Sequence, residues 1–258
     1  MLISLSMLSN HRSYGAEEQI ANFVFGDSDV DVGNNNYIVS LLKANSMPNG
    51  IDYEGPTGRF TNGRTVIDII GKLYIHEYCT ISSVVFLYVF LRFKDCRLYN
   101  MGARKILVTN VPQIGCTPFE RRINLCSGNQ CAAYPNQLAQ LYNVQLKSLL
   151  TELNSNLKGS KFLYGDAYGI FTDFVYNYRS YGVEIIGSPC CHNAGVGSLL
   201  GDLIPCNPTS SVCSDRSKYA FWDPVHPTEA TITVIAKRLI DGNITDISPI
   251  NVRQLLSS

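Results

Sequence analysis

Short hydrophobic runs alternate along this chain with longer stretches of helical periodicity. Three runs have the length and composition of buried strands: residues 23–25, 103–111 and 161–166. Three stretches repeat hydrophobic positions every three or four residues, as one face of a helix does: residues 65–73, 137–157 and 227–240. Strands and helices therefore alternate, which is typical of an α/β fold with a mainly parallel sheet.

The boundaries and faces of these elements can also be predicted. The longest helix is expected to end before Gly159 and to share one face among Leu138, Leu141, Tyr142, Gln145, Leu149 and Leu153. The last helix is expected to begin at Pro227, because a first-turn residue needs no amide hydrogen, and to end before Gly242. Residues 29–37 predict tight turns, since Asn and Gly tolerate left-handed backbone, and Ile38 to Leu42 predicts the start of another helix.

Residues 74–97 interrupt this alternation. They are rich in Val, Phe, Tyr and Cys and show no period of 3.6 residues. Their centre, residues 84–91, is hydrophobic enough for a strand buried on both faces. It is far shorter than the ~20 residues that a membrane helix needs, so no transmembrane segment or stable membrane insertion is predicted.

Composition indicates a globular protein. Of the 258 residues, 45% are hydrophobic and 16% are charged, whereas disorder requires low hydrophobicity and high net charge. No linker rich in Pro, Gly or Ser divides the chain, so a single domain over residues 21–258 is predicted, preceded by a leader or partial signal segment at residues 1–20. Twenty-one basic residues balance twenty-one acidic ones, which leaves no electrostatic footprint for nucleic acid.

The cysteines point to an oxidising compartment. There are nine, none in a Cys-x-x-Cys pair, and only four histidines, so neither a metal site nor a cofactor is expected. Cys190, Cys191, Cys206 and Cys213 lie in a stretch without periodicity, where disulfides would stabilise most. Asn243 begins an Asn-Ile-Thr glycosylation motif. We therefore expect secretion, although the apolar run at residues 2–8 is a poor signal.

Candidate catalytic residues lie at the two ends of the chain. Ser28 follows the first predicted strand in a Gly-Asp-Ser sequence, which is also an ordinary turn and does not fit Gly-x-Ser-x-Gly. Asp223 and His226 lie three residues apart, and each is directly followed by a proline. The two prolines restrain the backbone and therefore the position of the imidazole. A nucleophile, a base and a carboxylate that orients the base are the minimum set for acyl transfer.

Together these residues resemble the plant GDSL esterase/lipase family, part of the SGNH hydrolases. The run Phe-Gly-Asp-Ser-Asp-Val-Asp-Val-Gly-Asn-Asn-Asn at residues 25–36 is similar to its first block, and residues 219–229 are similar to its last block. Supporting stretches are residues 58–64, 101–105 and 114–118 and the cysteine-rich loop. The resemblance implies that Ser28 is the nucleophile and that Asp223 and His226 complete the triad.

The resemblance also implies what is missing. Family members have a middle section with a glycine block and a Gly-x-Asn-Asp block, whose Gly amide and Asn side chain complete the oxyanion hole. Neither block occurs between residues 71 and 98, so the Ser28 backbone amide would be the oxyanion donor that remains. A second departure is Asp29, which replaces the leucine of Gly-Asp-Ser-Leu.

The implied fold is an SGNH, flavodoxin-like three-layer α/β/α architecture with strand order 2-1-3-4-5, here incomplete through loss of the central strands. We expect Ser83 to Leu91, within the atypical residues 72–97, to occupy the empty place of strand three. The implied function is a secreted serine ester hydrolase acting on small-molecule or lipid esters. The alternative is a catalytically impaired product, such as a splice form, a gene-model error or a pseudoenzyme.

Overall fold

The computed structural model of the protein describes residues 3–7, 21–40, 42–74, 78–82, 98–193 and 205–258. Its strands within these ranges are β1 (Ile3–Met7), β2 (Ala21–Gly26), β3 (Tyr78–Ser82), β4 (Ala103–Thr109), β5 (Lys161–Gly165), β6 (Ile185–Pro189), β7 (Cys191–His192), β8 (Ser211–Val212), β9 (Tyr219–Phe221) and β10 (Ile247–Ser248). Its α-helices include α1 (Val66–Tyr74), α2 (Pro118–Ile123), α3 (Ala133–Asn156), α4 (Ala167–Asn177), α5 (Glu229–Asp241) and α6 (Val252–Leu256).

Six of the strands form the main sheet, in the order β10-β5-β4-β1-β2-β3. The pairs β2/β3 and β4/β5 are parallel, as predicted for an α/β fold. Strand β1 runs antiparallel to both of its neighbours, and β10 runs antiparallel to β5 at the edge. The sheet is therefore mixed, with its parallel pairs on either side of β1.

The place between β2 and β4, which we expected Ser83 to Leu91 to fill, is taken by β1. The segment at residues 83–91 lies outside the described residues. Strand β1 comes from the apolar run at residues 2–8, whose hydrophobic composition suits a strand in the middle of a sheet. The atypical segment contributes β3, which pairs in parallel with the opposite side of β2.

Helices cover both faces of the sheet, because side chains along a strand alternate between its faces. Leu107 of β4 belongs to a buried cluster with residues of α1 and α5, including Ile70 and Leu239. Its neighbours Ile106 and Val108 belong to another cluster, built with α3. The result is the predicted three-layer α/β/α arrangement.

The helix predicted at residues 137–157 is confirmed as α3, but the predicted face is not buried in the first half of the helix. Leu138 and Leu141 are 48% and 67% exposed. The buried positions are instead Ala139, Asn143, Leu146, Leu149, Leu150 and Leu153. The first half of α3 lies beside the short turn at Ile114–Cys116 rather than on the sheet, so its outward leucines have no layer to pack against within the described residues.

Two helix starts also differ from expectation. No helix forms at Ile38–Ser40 or at Leu42, where the chain is extended and its apolar side chains are exposed. Helix α5 begins at Glu229 rather than Pro227, because the Thr228 side chain accepts the amide hydrogen of Thr231 and is the N-cap. Pro227 therefore belongs to the loop that carries His226.

Three disulfides join segments that lie near each other in the described part of the chain. The predicted cross-links of the cysteine-rich loop join Cys190 to Cys213 and Cys191 to Cys206. A further disulfide joins Cys116 to Cys131 and ties the turn after β4 to the start of α3. Within the described part of the chain, Cys126 has a free thiol.

Candidate functional site

Ser28 lies where strand β2 ends. The strand stops at Gly26, and the Asp27 carboxylate accepts the amide hydrogen of Asp29 at 3.1 Å, which caps a short 3₁₀ turn at Ser28–Val30. This cap turns the chain sharply out of the sheet. Ser28 is thereby presented at the carboxyl end of a strand, where open α/β sheets place their ligands.

Asp223 is fixed by backbone amides in the loop between β9 and α5. Its Oδ1 accepts hydrogen bonds from the amides of Val225 at 2.8 Å and His226 at 2.7 Å. The preceding residue, Trp222, is fully buried, and its indole nitrogen donates to Asn49 Oδ1 at 3.0 Å. The carboxylate therefore has little freedom to leave its place in this loop.

The three predicted residues meet in one hydrogen-bonded line. His226 Nδ1 lies 2.7 Å from Asp223 Oδ2, and His226 Nε2 lies 2.7 Å from Ser28 Oγ. Asp223 is 1% exposed and His226 is 6% exposed, so the hydrogen bond between them is shielded from water, whereas the one to the half-buried Ser28 is partly shielded. With Asp223 ionised, Nδ1 carries the proton of neutral His226, and Nε2 is free to accept the proton of Ser28.

The electrostatics of the site favour a charged imidazole. Burial opposes the charge on His226, but the Asp223 carboxylate outweighs it by attraction and by its hydrogen bond. The negative charges of Asp29 and Asp27 add to the effect and raise the pKa of His226 to about 9. The departure at Asp29 thus has an electrostatic consequence, and burial together with the nearby Asp27 charge raises the pKa of Asp29 itself to about 6.

Residues 49–64, which we call the brace, hold the loop that carries Asp223 and His226. Thr61 Oγ1 donates to the Pro227 carbonyl at 3.1 Å, and Asn62 Oδ1 accepts the amide hydrogen of Glu229 at 3.0 Å. Arg64 forms an ion pair of 2.6 Å with the Glu229 carboxylate. Sequence reasoning identified residues 58–64 as a family stretch but gave these residues no role.

One aromatic residue of the brace touches the imidazole itself. The Phe60 ring centroid lies 4.9 Å from that of His226, with the two planes tilted by 33°. Phe60 is 7% exposed, so its ring is enclosed with the imidazole. The signal that could have identified it is its place in the middle of the Gly-Arg-Phe-Thr-Asn-Gly-Arg stretch.

The brace is also attached to the loop that follows Ser28. Gly58 has a φ of +108°, and a Cβ atom on it would lie 2.6 Å from the Cα of Gly33, so only glycine fits this contact. Arg59 donates to the Val32 carbonyl at 3.3 Å and pairs with the buried Asp68 at 2.7 Å. One segment therefore contacts both the nucleophile loop and the histidine loop.

A cavity of about 370 Å³ lies beside the brace, at the start of α5. Its lining consists of Asp52, Asn62, Ser214, Asp215, Arg216, Ser217, Glu229, Ala230 and Thr233. None of Ser28, Asp223 and His226 lines it. We therefore assign it no part in binding an acyl group.

Asn243 lies apart from this site, on the exposed turn after α5. Its Oδ1 accepts the amide and the hydroxyl hydrogens of Thr245 at 2.9 and 2.6 Å. Within the described ranges, no helix is long and apolar enough to cross a membrane. The same part of the chain contains no group of three or more acidic, Cys or His side chains arranged to hold a metal ion.

Comparison with known proteins gives a consistent result. Residues 92–239 match the family of GDSL-like lipases and acylhydrolases. A GDSL esterase/lipase of Arabidopsis thaliana is 40% identical over 91% of this chain and 90% of its own length. Two others from the same plant are each 33% identical, over 91% and 97% of this chain and 87% and 95% of their own lengths.

The alignments are longer than the chain itself. The first relative is aligned over 335 positions, whereas this chain has 258 residues. Within the aligned region, the relative therefore has positions to which no residue of this chain corresponds. The family match begins at residue 92, close to the end of the atypical residues 72–97.

Proposed function

The chain belongs to the GDSL esterase/lipase family and is a carboxylic ester hydrolase by that membership, and we propose that Ser28, His226 and Asp223 are its catalytic triad. The observation that carries this proposal is the line of two 2.7 Å hydrogen bonds from Asp223 through His226 to Ser28. Such a line matches the geometry by which a serine is activated, whatever the order of the residues in the chain.

In the proposed reaction, Ser28 Oγ attacks the ester carbonyl carbon while His226 Nε2 accepts the hydroxyl proton. The developing oxyanion is stabilised by the Ser28 backbone amide. The imidazolium then gives its proton to the leaving alcohol, and a water molecule hydrolyses the acyl-serine by the same steps. Asp223 holds the tautomer and stabilises the imidazolium, because its Oδ2 faces Nδ1 and its Oδ1 is fixed by two amides.

Hydrolysis of p-nitrophenyl acetate and p-nitrophenyl butyrate by the purified chain tests the proposal. The substrate class is limited to acyl or acetyl esters of small molecules or lipids. Turnover that depends on Ser28 would support the triad. Turnover that is unchanged without the Ser28 hydroxyl would place the reaction elsewhere in the chain.

The raised pKa of His226 gives the pH dependence a definite sign. Only neutral His226 can accept the Ser28 proton, and its pKa is raised to about 9. We therefore expect kcat/KM to increase as the pH rises from 6 through about 9, where half of the free enzyme has a neutral imidazole. A pH–rate profile with p-nitrophenyl acetate, corrected for its spontaneous hydrolysis, measures this increase, which we call the acidic limb.

The matched control for this profile is Asp223→Asn. Removing the carboxylate charge lowers the pKa of His226, so the limb should move to lower pH while the maximum rate falls. A limb that stays at the same pH in this variant would show that another group is titrating.

A second candidate function is a family product with impaired turnover, such as a splice form or pseudoenzyme. It is favoured by the long stretch of the first relative, aligned over 335 positions, that this chain lacks. The stretch would include the glycine block and the Gly-x-Asn-Asp block that complete the oxyanion hole in the family. Transcript sequencing across residues 72–97 tests this idea, since a longer coding section there would restore the complete enzyme.

We further propose that the protein is secreted and carries a glycan on Asn243. Three disulfides and an exposed Asn-Ile-Thr turn support an oxidising, secretory environment. In a eukaryotic secretory host we expect one glycan that peptide N-glycosidase removes, seen as a mass decrease that is absent in Asn243→Gln.

The chain contains its own control for this prediction. Asn207-Pro208-Thr209 has the same turn, with Asn207 Oδ1 accepting the amide and hydroxyl hydrogens of Thr209 at 2.9 and 2.7 Å. Its central proline excludes glycosylation, so Asn207→Gln should leave the glycosidase-sensitive mass unchanged. A secreted product with unmodified Asn243 would contradict the prediction.

A further inference from the structure

His226 has three kinds of contact, of which two are used by the proposed triad. Its two ring nitrogens face Asp223 and Ser28. The third contact is with Phe60, whose ring lies 4.9 Å from the imidazole centroid. Within the described residues, Phe60 is the one aromatic residue whose ring contacts that of His226, and each of the two residues is at least 93% buried.

We propose that Phe60 is a positioning residue of the triad: its ring holds the His226 imidazole in line with Ser28 and stabilises the imidazolium formed during the reaction. This inference rests on the proposed function, because it concerns the same histidine acting as the base. The face of an aromatic ring carries a negative quadrupole that attracts cations within about 6 Å of its centroid. The attraction is strongest where water is excluded, as it is here.

The backbone on both sides of Phe60 is fixed. Arg59 pairs with the buried Asp68 through two hydrogen bonds of 2.8 and 2.7 Å, and Thr61 donates to the Pro227 carbonyl at 3.1 Å. Pro227 directly follows His226. The brace therefore contacts the histidine loop at two places: at the backbone, through Thr61 and the Pro227 carbonyl, and at the imidazole ring, through Phe60. Because the backbone is fixed on both sides, the position of the Phe60 ring relative to the imidazole is fixed as well.

Charged groups near the imidazole must be kept separate from the effect of the ring. The carboxylates that act on His226 are those of Asp223, Asp29 and Asp27. All three remain in a Phe60 variant, so a change of Phe60 isolates the aromatic contribution. The alternative reading is that Phe60 is an ordinary core residue whose loss would weaken folding alone.

The experiment compares wild type, Phe60→Leu and Phe60→Tyr, with ring-labelled histidine followed by NMR through a pH titration. The His226 signal is assigned by its loss in His226→Gln. We expect Phe60→Leu to lower the pKa of His226 by about one. At a pH above 9, where His226 is mostly neutral in both proteins, it should also lower kcat roughly three- to thirtyfold, with KM within about twofold of wild type. Phe60→Tyr, which keeps the ring face, should restore both values.

Phe171→Leu is the matched control, since Phe171 is 6% exposed and packs against Phe174 and Phe221 rather than His226. It should reduce stability without moving the pKa of His226. If Phe60→Leu does not fold, Phe60→Met provides the same comparison with a flexible side chain of similar bulk. An unchanged pKa of His226 in the folded Phe60 variant, or an equal decrease in Phe171→Leu, would overturn the inference.

Failure of the proposed function would look different. In that case wild type itself would show no turnover that depends on Ser28, whereas the NMR titration of His226 would still report whether the Phe60 ring stabilises the imidazolium. A lowered pKa in Phe60→Leu together with no serine-dependent turnover would therefore keep the ring contact and reject ester hydrolysis by this chain.

Discussion

Replacing Ser28 with alanine is expected to reduce ester hydrolysis at least about a thousandfold. In a complete serine hydrolase, loss of the nucleophile lowers kcat by ~10⁶. A chain with fewer oxyanion donors begins from a slower reaction, so its measurable loss is smaller. The reason for the loss is geometric, since Ser28 Oγ is the atom that lies 2.7 Å from His226 Nε2. Initial rates with p-nitrophenyl acetate, and the mass of the acylated protein after rapid quenching, measure the effect.

The control for this variant is a serine elsewhere in the same fold. Ser217 lines the cavity beside the brace, and its hydroxyl donates a hydrogen bond to Asp215 at 2.6 Å. Ser217→Ala should retain the wild-type rate and the wild-type acyl mass. An acyl adduct that persists in Ser28→Ala, on whatever residue, would reject Ser28 as the nucleophile.

The residues of this site were predictable because its chemistry is concentrated in two short runs. Ser28 follows a hydrophobic strand, and Asp223 and His226 are separated by a spacing that lets one backbone loop orient both. Because the carboxyl end of β2 and the start of α5 adjoin in an α/β fold, the two runs meet although they lie nearly two hundred residues apart in the chain. The family resemblance added the roles of these residues, which neither run indicates alone.

What could not be predicted depends on partners that are distant in sequence. The role that we propose for Phe60 depends on one contact with His226. A buried aromatic residue has the same sequence signature whether it touches a catalytic histidine or only the core. The buried positions of α3 could not be predicted for a related reason. Helical periodicity identifies which leucines share a face, but Leu138 and Leu141 are exposed because the sheet does not reach the first half of that helix.

Strand β1 illustrates the limit of reasoning from a family. The resemblance implied an empty place beside β2, and the apolar centre of the atypical segment was the obvious candidate to fill it. An antiparallel strand can satisfy the backbone hydrogen bonds of the same place equally well, and β1 does so along its whole length between β2 and β4. Hydrophobic composition identifies a segment that needs a buried place but does not choose between two such segments.

The two oxyanion donors that we propose this chain lacks are expected to have the largest effect on turnover. Each oxyanion donor that is lost lowers the rate by roughly a hundred- to a thousandfold, so two donors together correspond to about 10⁴ to 10⁶. We therefore expect this chain to hydrolyse p-nitrophenyl butyrate more slowly by that factor than the relative with 40% identity. Both proteins are compared at the same pH, with initial rates at several substrate concentrations so that kcat and KM are separated.

Two reciprocal chimaeras test the cause of this difference. Inserting the extra stretch of the relative in place of residues 72–97 should raise kcat of this chain, and removing it from the relative should lower kcat, in both cases with Ser28 or its counterpart still required. Oxyanion donors act on the transition state, so kcat should change more than KM. Equal rates in this chain and the relative would show that other amides of this chain already stabilise the oxyanion. The oxyanion hole would then be complete without the additional residues of the relative.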